Sequence, residues 1–166
     1  DLMEPYAAYV LSDEVYESLV YDGRRHAGVL SNPRLRERAF AVYSFGKTYD
    51  ATGWKIGYCI AAPALTSEFR KVHQFLTFAV STPMQHAIAD FMREQPQYAD
   101  GLAAFYQERR DRFISLLEGS RFRLARALRA NSGPTLVSVM TAQREPSFSR
   151  RHSSPRRGRS FGAILI

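Results

Sequence analysis

Cysteine is nearly absent from these 166 residues: Cys59 stands alone. No intrachain disulfide can form, and no zinc site built from several cysteines is available. Lysine is almost as rare, with Lys47, Lys55 and Lys71 set against twenty arginines. Long apolar runs are missing too. The longest, Tyr58 to Leu65, falls far short of the roughly 20 residues that a membrane span needs. No signal-peptide pattern occurs. The first residue is Asp1, and the chain enters a hydrophobic segment almost at once, as a cut through a longer protein would. Acidic residues are scarce after residue 120, where Glu145 is alone among ten arginines. Residues 1–120 therefore carry net −2 and residues 121–166 net +9, which makes the formal +7 of the whole. That split excludes a uniformly basic nucleic-acid-binding domain over the first 120 residues.

What is present is 45% hydrophobic, enough for one domain with a core. Ala7 to Leu11 reads as a buried strand that ends on Ser12-Asp13. Ala39 to Tyr43 reads as a second strand and Lys55 to Ala61 as a third. Only residues 44–54 join the second to the third, without a helical pattern. A parallel crossover needs a dozen or more residues, so this pair is expected to be antiparallel. After Pro63 the period becomes helical, with Phe69, Val72, His73, Leu76 and Val80 on one stripe. Pro83 suits the first turn of a second helix, and a third is expected over about 97–118, with Gly119 at its C-terminal end. The span 144–160 holds six Arg with several Ser and Pro and no apolar period, a composition that predicts disorder. His26 and His73 have no partners at ligand spacing, and no metal site is expected.

Three segments carry the chemistry: Ser12-Asp13-Glu14-Val15-Tyr16, Ser44-Phe45-Gly46-Lys47-Thr48-Tyr49 and Gly53-Trp54-Lys55-Ile56-Gly57-Tyr58. In them the sequence resembles the fold-type I pyridoxal-phosphate (PLP) aminotransferases of class I/II, in the branch of methionine, kynurenine and glutamine transaminases. Arg70 to Gln74 and Phe78 to Gln85 extend the resemblance, which covers roughly residues 5–123.

The resemblance implies an α/β fold. Residues 1–123 would form the C-terminal part of the large, PLP-binding domain and the start of the linker helix to the small domain. The sheet would be mostly parallel with one antiparallel strand, and helices would pack around it. It implies that Lys47 holds the cofactor as an imine and moves the substrate proton. Asp13 would pair with the pyridine nitrogen, Tyr16 would donate to the phenolate oxygen, and Ser44 with Lys55 would hold the phosphate. Phe78 would line the substrate pocket of a neighbouring subunit. The reaction would pass an amino group between an amino acid, aromatic or sulfur-containing, and a 2-oxo acid. The parent enzyme would be a cytoplasmic homodimer, binding neither membrane nor nucleic acid. Asp50 departs from the branch, where His is commoner.

The resemblance also says what this chain lacks. The glycine-containing phosphate loop, the aromatic that stacks on the PLP ring and the Asn at the phenolate oxygen all precede the matching region. The arginine for the substrate carboxylate follows it. The fragment itself is therefore expected to be inactive. Members of the branch carry Gly-Thr-Tyr-Phe shortly after this point. Here Ser132-Gly133-Pro134-Thr135-Leu136 stands, and codons TCG-GGA-CCT-ACT-TTG for it, read from the last base of the serine codon, give Gly-Thr-Tyr-Phe. Residues 124–166 are thus expected to be an out-of-frame, disordered basic tail. Two rival readings remain: a non-enzymatic aminotransferase-like regulator domain, and a basic-tailed nucleic-acid-binding module.

Overall fold

The computed structural model describes residue 6 and residues 8–121, 137–141 and 161–166. It is an α/β fold with a mixed sheet. Strand β1 (Ala8–Asp13) runs parallel to β2 (Ala39–Ser44), with Asp13 opposite Val42. Strand β3 (Gly57–Ala61) returns antiparallel along β2, with Ser44 opposite Gly57. This is the direction that the short connection dictates. Helix α1 (Phe45–Thr48) is a single turn directly after β2, and a 3-10 turn over Thr52–Trp54 follows it. Helices α2 (Pro63–Leu76), α3 (Thr82–Glu94) and α4 (Tyr98–Leu116) come next. Pro63 and Pro83 sit in the first turns of α2 and α3, where the missing N–H costs nothing.

Alternation along the strands assigns two faces. Val10, Ala39, Ala41 and Tyr43 form the core on one face, covered by Val29, Leu30 and Leu35 from the long connection between β1 and β2. Tyr58 stacks on its register partner Tyr43, ring centroids 4.7 Å apart. On the other face Phe40 meets Phe69 of α2, and Thr66 of α2 donates its hydroxyl to the Ala61 carbonyl. β1 differs from the fully buried strand that its composition suggests. Tyr9 and Asp13 are exposed between buried neighbours, so the strand has one wet face. β3 starts two residues later than expected, because Lys55 adopts φ 54°, a left-handed conformation that cannot continue a strand.

Two described pieces of the span 124–166, expected to be an out-of-frame, disordered basic tail, are strands. β4 (Val137–Thr141) pairs antiparallel with β1, and β5 (Gly162–Leu165) pairs antiparallel with β3. The sheet order is β4-β1-β2-β3-β5. The other residues of 122–160, including the Gly133-Pro134-Thr135 segment behind the frame argument, lie outside the described residues.

The apolar stripes of the helices are poorly covered. Phe75 is 85% exposed, and Val72, Leu76, Phe113 and Leu116 are exposed as well. Leu102 of α4 and Ile88 of α3 are buried. Helix α4 is fastened to the connection after β1 by Arg110, whose guanidinium takes both carboxylate oxygens of Asp22 at 2.6 and 2.9 Å.

Candidate active site

β1 and β2 are parallel and adjacent, so their C-terminal ends open at the same edge of the sheet. β3 begins at that edge. Five of the six residues singled out by the sequence come from this end: Asp13 closes β1, Tyr16 lies in the turn beyond it, Ser44 closes β2, Lys47 sits on α1 and Lys55 precedes β3. Chains that end parallel strands at one edge present their loop residues there, the usual place for a ligand in open α/β sheets.

Lys47 is exposed, and its Nζ lies 5.9 Å from the centroid of the Tyr16 ring. Ser44 stands at the N-cap position of α1, yet its hydroxyl makes no capping bond. Lys55 is exposed at the end of the 3-10 turn. Asp13 is exposed, and one carboxylate oxygen accepts the Val15 N–H at 3.2 Å. Phe78 is not brought to this group. It follows α2 at φ 64°, 81% exposed, and lines a separate hollow with Arg70, His73, Gln74 and Ile164.

Gly46 explains how α1 can sit where it does. A Cβ there would lie 2.9 Å from the Thr52 Cα and 3.1 Å from the Ala51 carbonyl. Thr52 Oγ1 donates to the Gly46 carbonyl at 3.0 Å, closing the loop behind Lys47. Asp50 acquires a role here. At φ 52° it turns the chain, and its carboxylate accepts the Tyr98 hydroxyl at 3.2 Å, joining this loop to α4.

Behind the edge lies a set of groups to which sequence reasoning gave no role. Glu14 is 1% exposed. Its carboxylate accepts the Ser12 hydroxyl at 2.7 Å and the Val29 N–H at 2.8 Å, and it also meets His26 Nε2. Burial alone would raise its pKa, but the bonds from Val29, Ser12 and His26 together outweigh that and hold it below the ordinary value. Glu17 is pushed the other way, mainly by burial, and accepts the Tyr58 hydroxyl at 3.3 Å. Burial and the neighbouring Glu17 push the Tyr58 phenol up strongly, and the same causes with Glu14 take Tyr43 to about 12. The signal for Glu14 was available in principle. A carboxylate between two chemistry-bearing residues, at the same strand parity as buried Val10 and Ser12, must point inward.

The chemistry of this edge is a primary amine beside a phenol ring, a second cation, a free hydroxyl and a carboxylate. A phosphate dianion needs a cation and donors, which Lys55 and Ser44 can supply. A protonated heteroaromatic nitrogen needs a carboxylate, which Asp13 can supply. A carbonyl compound needs an amine, which Lys47 can supply. These residues fit a phosphorylated pyridine aldehyde. Among the described residues no group of three or more His, Cys, Asp or Glu could hold a metal ion, and no helix is long and apolar enough to cross a membrane.

A family model described as aminotransferase class I and II matches residues 1–151. A methionine aminotransferase of Escherichia coli (strain K12) is 51% identical over 116 residues, which is 70% of this chain and 30% of that protein. Kynurenine–oxoglutarate transaminase 3 of Homo sapiens is 37% identical over 125 residues, 71% of this chain and 28% of its own length. A solved structure reported as a methionine aminotransferase from Escherichia coli superposes with a TM-score of 0.65 at 52% identity, covering 68% of this chain and 30% of that one. The chain thus spans under a third of the length of the relatives it matches.

Proposed function

The chain belongs to the class I and II aminotransferases, and from that membership we propose that it is the cofactor-holding core of an enzyme that moves an amino group between an amino acid and a 2-oxo acid. The observation that carries the proposal is the position of Lys47 beside Tyr16, at the shared edge of a parallel strand pair whose other end-residue is Asp13.

Pyridoxal 5′-phosphate, when bound, supplies an aldehyde for the amino group and a ring that withdraws electrons from the neighbouring carbon. Lys47 is the amine that anchors it and, once released, the base that takes and returns the substrate Cα proton. Asp13 keeps a proton on the ring nitrogen. Tyr16 donates its hydroxyl to the phenolate oxygen and orients the Lys47 amine from one side. Ser44 and Lys55 fix the phosphate and so set the register of everything else. Phe78 contributes an apolar wall to the substrate site of a second subunit in a homodimer. Aromatic or sulfur-containing amino acids are the proposed donors, after the methionine and kynurenine relatives. The 166-residue chain is proposed to hold the cofactor weakly and not to turn over, since small misplacement of reacting groups costs orders of magnitude in rate.

With only three lysines, the test is direct. The chain is incubated with pyridoxal phosphate, reduced with borohydride and digested for mass spectrometry. Labelling concentrated on Lys47 over Lys55 and Lys71, and lost in Lys47→Ala, is the expected result. Equal labelling of all three lysines overturns the assignment.

A further inference from the structure

Glu14 takes no part in the chemistry assigned above, yet it is among the most completely buried side chains of the molecule. A buried carboxylate is costly unless donors surround it. Here three donors converge from two segments: Ser12 from β1, and His26 and Val29, three residues apart, from the long connection. The backbone of Glu14 is held as well. Its N–H donates to the Val42 carbonyl of β2 at 2.8 Å, and its carbonyl accepts the Glu17 N–H at 3.0 Å. Glu14 is therefore fixed at its amide, its carbonyl and its carboxylate.

Its neighbours are Asp13 on one side and, two residues on, Tyr16. Neither of those side chains has comparable support of its own. Asp13 is exposed and takes one local N–H, from Val15. Tyr16 is half exposed. Beyond them Glu17 is tied across the sheet to Tyr58 of β3. The two exposed functional side chains thus sit on a turn pinned from below by Glu14 and from beyond by Glu17.

We propose that Glu14 is a positioning residue: its buried carboxylate, gripped by Ser12, His26 and Val29, sets the geometry in which Asp13 and Tyr16 face Lys47. This rests on the functional reading for what Asp13 and Tyr16 contact, but the clamp itself exists without any ligand. Carboxylates serve here where an apolar side chain could not. An acceptor with two oxygens can draw three donors from two segments to one point and so lock the turn to the connection that covers the core.

The Val15 N–H reads the clamp directly, because its acceptor is the Asp13 carboxylate. In the cofactor-free chain, Glu14→Gln is expected to raise amide exchange at Val15 and Glu17 at least tenfold while amides of the β2–β3 ladder keep their protection. A rise spread evenly over β2 and β3 would mean that Glu14 contributes stability only, and no change at Val15 would mean that it does not position Asp13; either overturns the proposal. Should Glu14→Gln fail to fold, His26→Gln removes one donor at the wetter end of the clamp, and the same local pattern at smaller size is expected; unchanged Val15 exchange there overturns it too. A second arm uses the chain loaded with pyridoxal phosphate. Lys47→Ala should abolish the visible band, and Glu14→Gln should keep the band but shift its pH midpoint. A band indifferent to Lys47→Ala refutes the functional reading and leaves the clamp to the exchange data. A band that needs Lys47 but ignores Glu14→Gln refutes the clamp.

Discussion

Replacing Gly46 by alanine sets two well-characterised effects against each other. Glycine inside a helix costs roughly 0.5–1 kcal/mol relative to alanine, so propensity alone favours the change by that amount. Packing opposes it. The new Cβ would lie 2.9 Å from a backbone Cα at Thr52 and 3.1 Å from a backbone carbonyl at Ala51. Neither atom is the movable tip of a side chain, so the loop must shift as a unit. Overpacking of this kind costs about 1–3 kcal/mol. Losing the bond from Thr52 Oγ1 to the Gly46 carbonyl adds on the order of 1 kcal/mol. The net expectation is a destabilisation of about 1–3 kcal/mol. Gly101→Ala in α4 is the control: nothing lies within 4 Å of its added Cβ, so propensity acts alone and stability should rise by about 0.5–1 kcal/mol. Urea unfolding followed by Trp54 fluorescence suits both, since this single tryptophan sits in the turn that Gly46 touches. The Gly46→Ala chain should also show altered aldehyde reactivity at Lys47. A Gly46→Ala protein as stable as wild type, or more so, would refute the packing argument.

Other expectations follow from the same contacts. Glu14 has its folded pKa below 4.5, so its contribution is full above that value and is lost as pH falls through the folded pKa. Glu14→Gln should flatten the acid limb of the stability–pH profile below pH 4.5. Glu17 has its folded pKa raised, so its contribution is full below 4.5 and is lost as pH climbs through the folded value; Glu17→Gln should remove that decline, seen as a thermal midpoint that no longer falls as pH climbs above 4.5. Phe78→Gly should stabilise the chain by about 1 kcal/mol, because a bulky residue at φ 64° bears backbone strain and its ring is exposed; a thermal midpoint below wild type would count against this. The Cys59 thiol, buried and pushed up to about 11, should resist alkylation at pH 8 until urea unfolds the sheet. Incubated with pyridoxal phosphate, methionine or phenylalanine and a 2-oxo acid, the chain should transfer no amino group faster than free cofactor does.

Much of the sheet was legible because strand pattern and connection length are local. Ala39 to Tyr43 announced β2 through its uninterrupted apolar run, and eleven residues between strands announced its antiparallel neighbour. What escaped depended on backbone conformations or distant partners. Nothing in the composition around Lys55 signals its left-handed φ, which delays β3. The apolar stripe of α2 predicted a buried face, but burial needs a partner surface, and Val72 and Leu76 of that stripe are exposed. β4 and β5 were invisible because an arginine- and serine-rich setting outweighs two short apolar runs, and strand pairing is decided by whichever edge is open. The six proposed site residues came from resemblance rather than pattern. Glu14 was passed over because a carboxylate beside a known motif draws attention to its neighbours.

The route of the chain between Ser44 and Gly57 has a consequence for how the site can be taken apart. Because β3 doubles back on β2, Ser44, Lys47 and Lys55 are carried by one continuous hairpin-like cassette whose two arms are zipped together over five paired positions. Asp13, at the end of β1, and Tyr16, in the turn beyond it, arrive separately, with twenty-five residues between β1 and β2, and are held to the cassette by strand pairing and by the Glu17–Tyr58 bond. A polypeptide nicked in the exposed stretch around Gly23 would still keep Ser44, Lys47 and Lys55 on one covalent piece. The piece that carries Asp13 and Tyr16 would become a detachable ligand for it. Reassembly of two such pieces would then be an assay of everything that crosses the nick: the β1–β2 pairing, the grip of His26 and Val29 on Glu14, the Glu17–Tyr58 bond and the Asp22–Arg110 pair.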